Sequence, residues 1–171
     1  MNILNQFSDG GEKMKDFKVD TGGLRNEETL TQQQIDDAIN YAVKLNMPRN
    51  KIQYEENQNL AYWESFDFLI IGTDLYPLKN PQQDTRSANS RISWKGGIAH
   101  EIIGHREAKL KGWTQNNDIF EEVQASIRAA RFAPDLSDAE RITLIRDAIY
   151  RLNKNGYSTS EVRELLNIKE R

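Results

Sequence analysis

The sequence predicts an α+β fold: a small mixed or antiparallel sheet packed with a helix and followed by a mostly helical C-terminal half. Three observations lead there. One amphipathic helical pattern stands near the start, short segments rich in β-branched and aromatic residues occupy the middle, and from about residue 97 capped helical patterns follow one another. At 171 residues the chain suits one domain. We place it at residues 29–171, after a poorly structured segment 1–28 punctuated by Asp9-Gly10-Gly11 and Thr21-Gly22-Gly23.

In the first helix, Thr31 and Gln34 form a capping box, and Ile35, Ala38, Ile39, Ala42 and Val43 recur at helical spacing. Pro48 disfavours helix before it, so the element stops near Leu45. Residues 51–54 and 66–71 read as strands, and Gly72-Thr73-Asp74 as a turn. Residues 76–78 read as extended chain, 79–89 as loop, and 92–94 as a further short strand entering Gly96-Gly97. A helix over 97–111 is stopped by Gly112. The next starts near Asp118, boxed by Glu121, and ends before Pro134; Ser137 with Glu140 and Ser158 with Glu161 open the last two, with Gly156 between them. The apolar residues of 139–152 read as core and the basic run 128–131 as a solvated helix face.

Composition narrows the function. A net charge of -3 and a pI near 5.5 argue against a general nucleic-acid binder. Without cysteine there is no disulfide, thiolate ligand or cysteine nucleophile, so a transition metal would rest on histidine and carboxylate. No apolar run approaches a membrane span, and residues 1–18 lack the apolar core of a signal peptide.

The chemistry concentrates in Ala99-His100-Glu101-Ile102-Ile103-Gly104-His105-Arg106, which holds both histidines of the chain. In the His-Glu-x-x-His pattern two histidines four apart share one helix face as metal ligands, and the glutamate is the general base for a water. Here the spacing is five. On a regular α-helix that leaves the rings roughly 140° apart, too far to share a metal. A π-type turn or break between His100 and His105 would bring them together, since five residues then close one turn, and Gly104 would tolerate the distortion. The bland alternative is two unrelated surface histidines beside an incidental glutamate; their concentration in one sparsely charged run weighs against it.

Downstream, Glu122-Val123-Gln124-Ala125-Ser126 opens a helix that runs on to Pro134. Taken alone it is an ordinary amphipathic helix with acidic residues in its first turn, where the dipole favours them. After the histidine pair it resembles the Glu-x-x-Ala-(Asp/Asn) helix of the gluzincin group of zincin metallopeptidases, and the helix as a whole looks like that of anti-repressor-cleaving peptidases. The resemblance implies a zincin-like fold with an active-site helix, a zinc ion on His100, His105 and Glu122, and Glu101 as catalytic base. It further implies Ala125 as the small residue and Ser126 as the polar group behind the ligands. It also implies that residues 90–94 are extended beside the cleft, where zincin-like folds pair an edge strand with a peptide.

A wider resemblance covers Ser8-Asp9-Gly10-Gly11 to Thr21-Gly22-Gly23, Ser90-Arg91-Ile92-Ser93-Trp94 and Leu165-Leu166-Asn167-Ile168-Lys169-Glu170-Arg171. These look like the C-terminal toxin modules of bacterial polymorphic (Rhs-type) proteins. That implies a delivered effector acting in a target-cell cytoplasm, with a cognate immunity protein; the peptidase resemblance implies a protein or peptide substrate, and the charge and hydropathy above leave nucleic-acid and membrane partners unexpected. Two other readings stand beside it. A metal-dependent nuclease or amidase would use Glu101, His105 and Glu122, with His100 outside the ligand set, because Glu101 and His105 are four apart. A non-catalytic domain would use the histidine helix only to dock a partner. Tyr76, Tyr157, Arg106 and Arg128 are candidate oxyanion donors for which packing roles are expected, and Trp94 and Trp113 are expected in the core or wall.

Overall fold

Helix α1 (Gln32–Lys44) begins where its capping box places it, with both halves of the Thr31–Gln34 exchange formed, and buries Ala38, Ile39, Tyr41 and Ala42. The computed structural model describes residues 25–78, 91–164 and 166–171. The expected loop 79–89 and most of the segment expected to be poorly structured, residues 1–24, lie outside them. The last residues of that segment are tied to the domain. The Arg25 guanidinium donates to the carbonyls of Asp74, Leu75 and Ile92 at 2.6–2.7 Å, and Asn26 Nδ2 donates to Tyr76 O at 3.1 Å.

The sheet is mixed and has three strands in the order β1-β3-β2. Strand β1 (Ile52–Glu55) runs parallel to β3 (Phe68–Gly72), and β2 (Ala61–Trp63) pairs antiparallel on the other side, with Tyr62 opposite Leu69. Strand β2 escapes sequence reading because three residues are too short a run to show alternation. Strand β3 starts two residues later than expected, because Glu64–Phe66 form a 3-10 turn closed by Asp67 at φ 49°. Gly72 belongs to the strand rather than to the turn. A Cβ there would sit 1.9 Å from Gln58 O, so only glycine lets the 58–59 backbone pass. Residues 73–75 then form a 3-10 turn, and Tyr76 is extended but unpaired.

The expected strand over 92–94 is absent. Ser93 is instead the N-cap of α2 (Trp94–Ala99): its Oγ accepts the Gly96 N–H at 3.0 Å and donates to Glu140 at 2.6 Å. The histidine helix therefore starts three residues before the predicted point. It continues through a π-helical segment (His100–Arg106) into α3 (Glu107–Leu110), and Gly112 at φ +70° ends it. Helix α4 (Asp118–Phe132) is capped by Asn117, whose side chain accepts from Phe120 N; Glu121 is not its box residue but accepts the Gln115 N–H at 3.3 Å. Helices α5 (Asp138–Lys154) and α6 (Thr159–Val162) have the expected boxes at Ser137–Glu140 and Ser158–Glu161.

The main core joins α1, the inner sheet, the histidine helix and α4 through Ile39, Leu69, Ile71, Ile98, Ile102, Ile103 and Ala129. A second cluster of Val123, Ala148, Leu152, Val162 and Leu166 closes the far end. Of the basic run 128–131, Arg131 is exposed as expected, but Arg128 is not on a solvated face. Arg128 is completely buried: Nε donates to Ile103 O at 3.2 Å, and Nη1 donates to Asn167 O and Glu170 O at 3.0 and 2.8 Å. Its charge is met by Glu107 at 3.6 Å and by the face of Trp113, 4.9 Å from ring centroid to guanidinium carbon. Among the described residues no helix is long and apolar enough to cross a membrane.

Candidate metal centre

Two helices build the site. The π-helical segment presents His100, Glu101 and His105, and the first turns of α4 present Glu122 and Ser126. The five-residue spacing is accommodated as the sequence requires. Glu107 N–H bonds to Ile102 O, five residues back, and the two imidazoles fall on the same side. Their Nε2 atoms are 3.1 Å apart and their ring planes cross at 77°. Gly104 serves this geometry by close approach rather than by tolerating distortion. A Cβ at 104 would lie 2.6 Å from Ala125 Cα, so the absent side chain lets α4 come against the π segment.

Glu122 faces both histidines, with Oε2 at 3.2 Å from His100 Nε2 and Oε1 at 3.3 Å from His105 Nε2. Glu101 sits on the sheet side of the pair, and its Oε2 accepts the Tyr62 N–H of β2 at 2.9 Å. His100, Glu101 and His105 each bring one donor atom within 4.8 Å of the others. Behind His100 the polar contacts continue: Nδ1 to Ser126 Oγ at 3.0 Å, and Ser126 Oγ–H to Asp147 Oδ2 at 2.9 Å. Arg151 Nε donates to the same Asp147 oxygen at 2.9 Å, and its Nη1 lies 3.4 Å from Glu122 Oε2.

These distances suit a metal. Two ligands on a tetrahedral zinc with bonds near 2.1 Å stand about 3.4 Å apart; the two Nε2 atoms are 3.1 Å apart, and each lies 3.2–3.3 Å from a different oxygen of Glu122. The electrostatics agree. Burial favours a neutral His105, but the hydrogen bond and charge of Glu122, with Glu101 and Glu121 beyond, outweigh it and raise the pKa to about 9. Burial likewise opposes the Glu122 carboxylate, yet the two facing imidazoles hold it well below the usual range. The centre is thus organised to keep positive charge between its nitrogens and its carboxylate.

The other candidates lie elsewhere. Tyr76 packs against Trp94, which packs in turn edge-on to Tyr41, so Trp94 is a core residue. Tyr157 packs on Phe120, Arg106 is paired with Asp67, and Arg128 braces the π segment. Trp113 is a wall residue, lining a cavity of about 10 Å³ beside His105. Of the segment expected to border the cleft, Ser90 lies outside the described residues and Ile92 is buried in the main core, its carbonyl taken by Arg25. The strand beside the site is β2. The π segment also keeps Glu101 and His105, two members of the alternative ligand set, within 4.8 Å of each other. Asp147 and Arg151 were missed altogether; the available signal was an Asp–Arg pair four apart, with the Asp in the apolar register of Leu144, Ala148 and Leu152. No family model, curated protein or solved structure matches this chain.

Proposed function

We propose that this chain is a zinc-dependent metallopeptidase of zincin-like organisation, acting as a delivered bacterial toxin effector. The observation that carries the enzymatic reading is that both imidazoles face the Glu122 carboxylate, with their Nε2 atoms 3.1 Å apart, through a π segment that costs helical regularity. Such departures from regular helix concentrate at functional sites. The effector reading rests on the resemblance of the chain's terminal and pre-helix segments to polymorphic toxin modules.

His100, His105 and Glu122 would hold the metal, and Ser126 would fix the far side of His100. When bound there, zinc supplies Lewis acidity, lowering the pKa of a water and polarising a substrate carbonyl. Glu101 acts as the base. One of its oxygens is held by the Tyr62 amide, which orients the other to take the water's proton and pass it to the leaving amine. Glu101 is preferred as base and Glu122 as ligand because both oxygens of Glu122 are directed at imidazole nitrogens, whereas Glu101 is anchored to the sheet.

The test separates these roles. Glu101→Gln should retain zinc while losing peptide hydrolysis, and toxicity on cytoplasmic expression, by about 10²–10⁴-fold. Glu122→Ala should lose zinc content and the stabilisation that zinc confers on melting. Loss of zinc by Glu101→Gln with retention by Glu122→Ala would exchange the two assignments. Absence of zinc from the wild-type protein would end the reading.

A further inference from the structure

Asp147 is the buried ionisable group that the proposed reaction leaves unused. It is 1% exposed, in the apolar register of α5, and its Oδ1 has no hydrogen-bond partner among the described residues. For stability alone a hydrophobic residue would serve better at such a position. Its other oxygen, however, is doubly engaged, by the Ser126 hydroxyl and by Arg151 Nε, both at 2.9 Å.

Proton bookkeeping gives this arrangement a direction. A carboxylate only accepts, so the single hydroxyl proton of Ser126 points to Asp147. Ser126 Oγ can then meet His100 Nδ1 at 3.0 Å only by accepting Nδ1–H. A neutral His100 with its proton on Nδ1 has a lone pair on Nε2, the atom that faces His105 and Glu122. The chain Asp147–Ser126–His100 thus sets which nitrogen is the donor atom of the site. Arg151 braces both ends of this frame, reaching Asp147 with one nitrogen and Glu122 with another.

We infer that Asp147 is a positioning residue for the metal centre: acting through the Ser126 hydroxyl, it holds His100 in the Nδ1–H tautomer, with Arg151 fixing its carboxylate. The link to the metal rests on the reading given above, but the tautomer does not, and the experiment uses that difference. Histidine ligands commonly donate the other ring N–H to a carboxylate or carbonyl, and loss of such a partner weakens binding about 10–100-fold.

Two measurements on the full chain test it, with Ser126→Ala, Asp147→Ala and the double variant. In the metal-free proteins, long-range ¹H–¹⁵N NMR of the imidazole should show Nδ1–H for His100 in the wild type. In Asp147→Ala it should move toward Nε2–H, because the freed Ser126 hydroxyl can then donate to Nδ1. Zinc affinity by chelator competition should fall about 10–100-fold in each single variant, and no further in the double. A wild-type tautomer that survives Asp147→Ala, or losses that multiply in the double variant, would overturn the relay. If the wild type binds no zinc, the peptidase reading fails and the tautomer alone decides. Should Asp147→Ala not fold, Arg151→Gln is read by the same two criteria, a shifted tautomer and a loss not additive with Ser126→Ala.

Discussion

On the proposed reading a proton and a zinc ion would compete for one place in this site, and the competition would have a measurable slope. In the metal-free protein the positive charge between Glu122 and the imidazoles is the proton on His105, whose pKa rises to about 9. Zinc requires the neutral ring, so its binding expels that proton. Below pH 9 the apparent affinity should fall tenfold per pH unit. From pH 9 to pH 7 the two units amount to about 100-fold, or about 2.7 kcal/mol. The metal-free protein should behave oppositely. A raised folded-state pKa means that the stabilising imidazolium contributes fully below the unfolded value near 6.5, and that this contribution, on the order of 3 kcal/mol, is lost as pH climbs through 9. Between pH 6.5 and 9 the melting temperature of metal-free protein should therefore fall while the gain on adding zinc grows. Differential scanning calorimetry with and without zinc reads both, and chelator competition reads the slope. A zinc affinity independent of pH over 7–9, or metal-free stability flat or rising there, would refute the reasoning. His105→Gln should abolish both trends.

Other expectations follow from the packing. Gly104→Ala puts a methyl against the backbone of Ala125, so it should cost about 1–3 kcal/mol in urea unfolding; because Ala125 Cα and O are also in the way, Ala125→Gly should not restore it. Arg128→Met leaves the carbonyls of Ile103, Asn167 and Glu170 and the Glu107 carboxylate without their shared donor, for a loss of about 3 kcal/mol or more in the same assay. Ser137→Ala removes the N-cap of α5 and should cost about 1 kcal/mol by thermal denaturation, with zinc binding unchanged.

Legibility in the sequence tracks how local each interaction is. The starts of α1, α5 and α6 are set by a cap and its partner three residues on, and all three were readable. The need for a π segment was readable too, because two histidines five apart pose a geometric problem with few solutions. The start of the histidine helix was not: Ile92, Ser93 and Trp94 look β-prone, and Ser93 is recognisable as a cap only once Gly96 and the distant Glu140 are brought to it. Arg128 was misread for the same reason. Its charge is compensated by carbonyls 25–42 positions away, which no helical period reveals. Asp147 and Arg151 fell inside a helix whose apolar pattern was strong enough to hide two polar residues facing the site. The mixed arrangement of the sheet was foreseen only as one of two options, since strand β2 gains its identity from β3.

The hydrogen bond that Glu101 accepts from the Tyr62 amide has a further consequence, for how copies of this protein behave together at high concentration. Among the described residues strand β2 has a strand neighbour on one side only. Its Tyr62 amide is spent on Glu101, and the preceding Leu60 amide on Asp74 at 2.6 Å. An unpaired strand is normally where separate chains zip into aggregates, because it offers a free row of donors. Here two of those donors are already taken by carboxylates of the same molecule, so fewer are left for a strand from another copy. Burial raises the Asp74 carboxyl above its ordinary range, so acid weakens its hold on the Leu60 amide more readily than for an ordinary carboxylate. Colloidal stability should accordingly fail from the acid side, at the strand beside the candidate site.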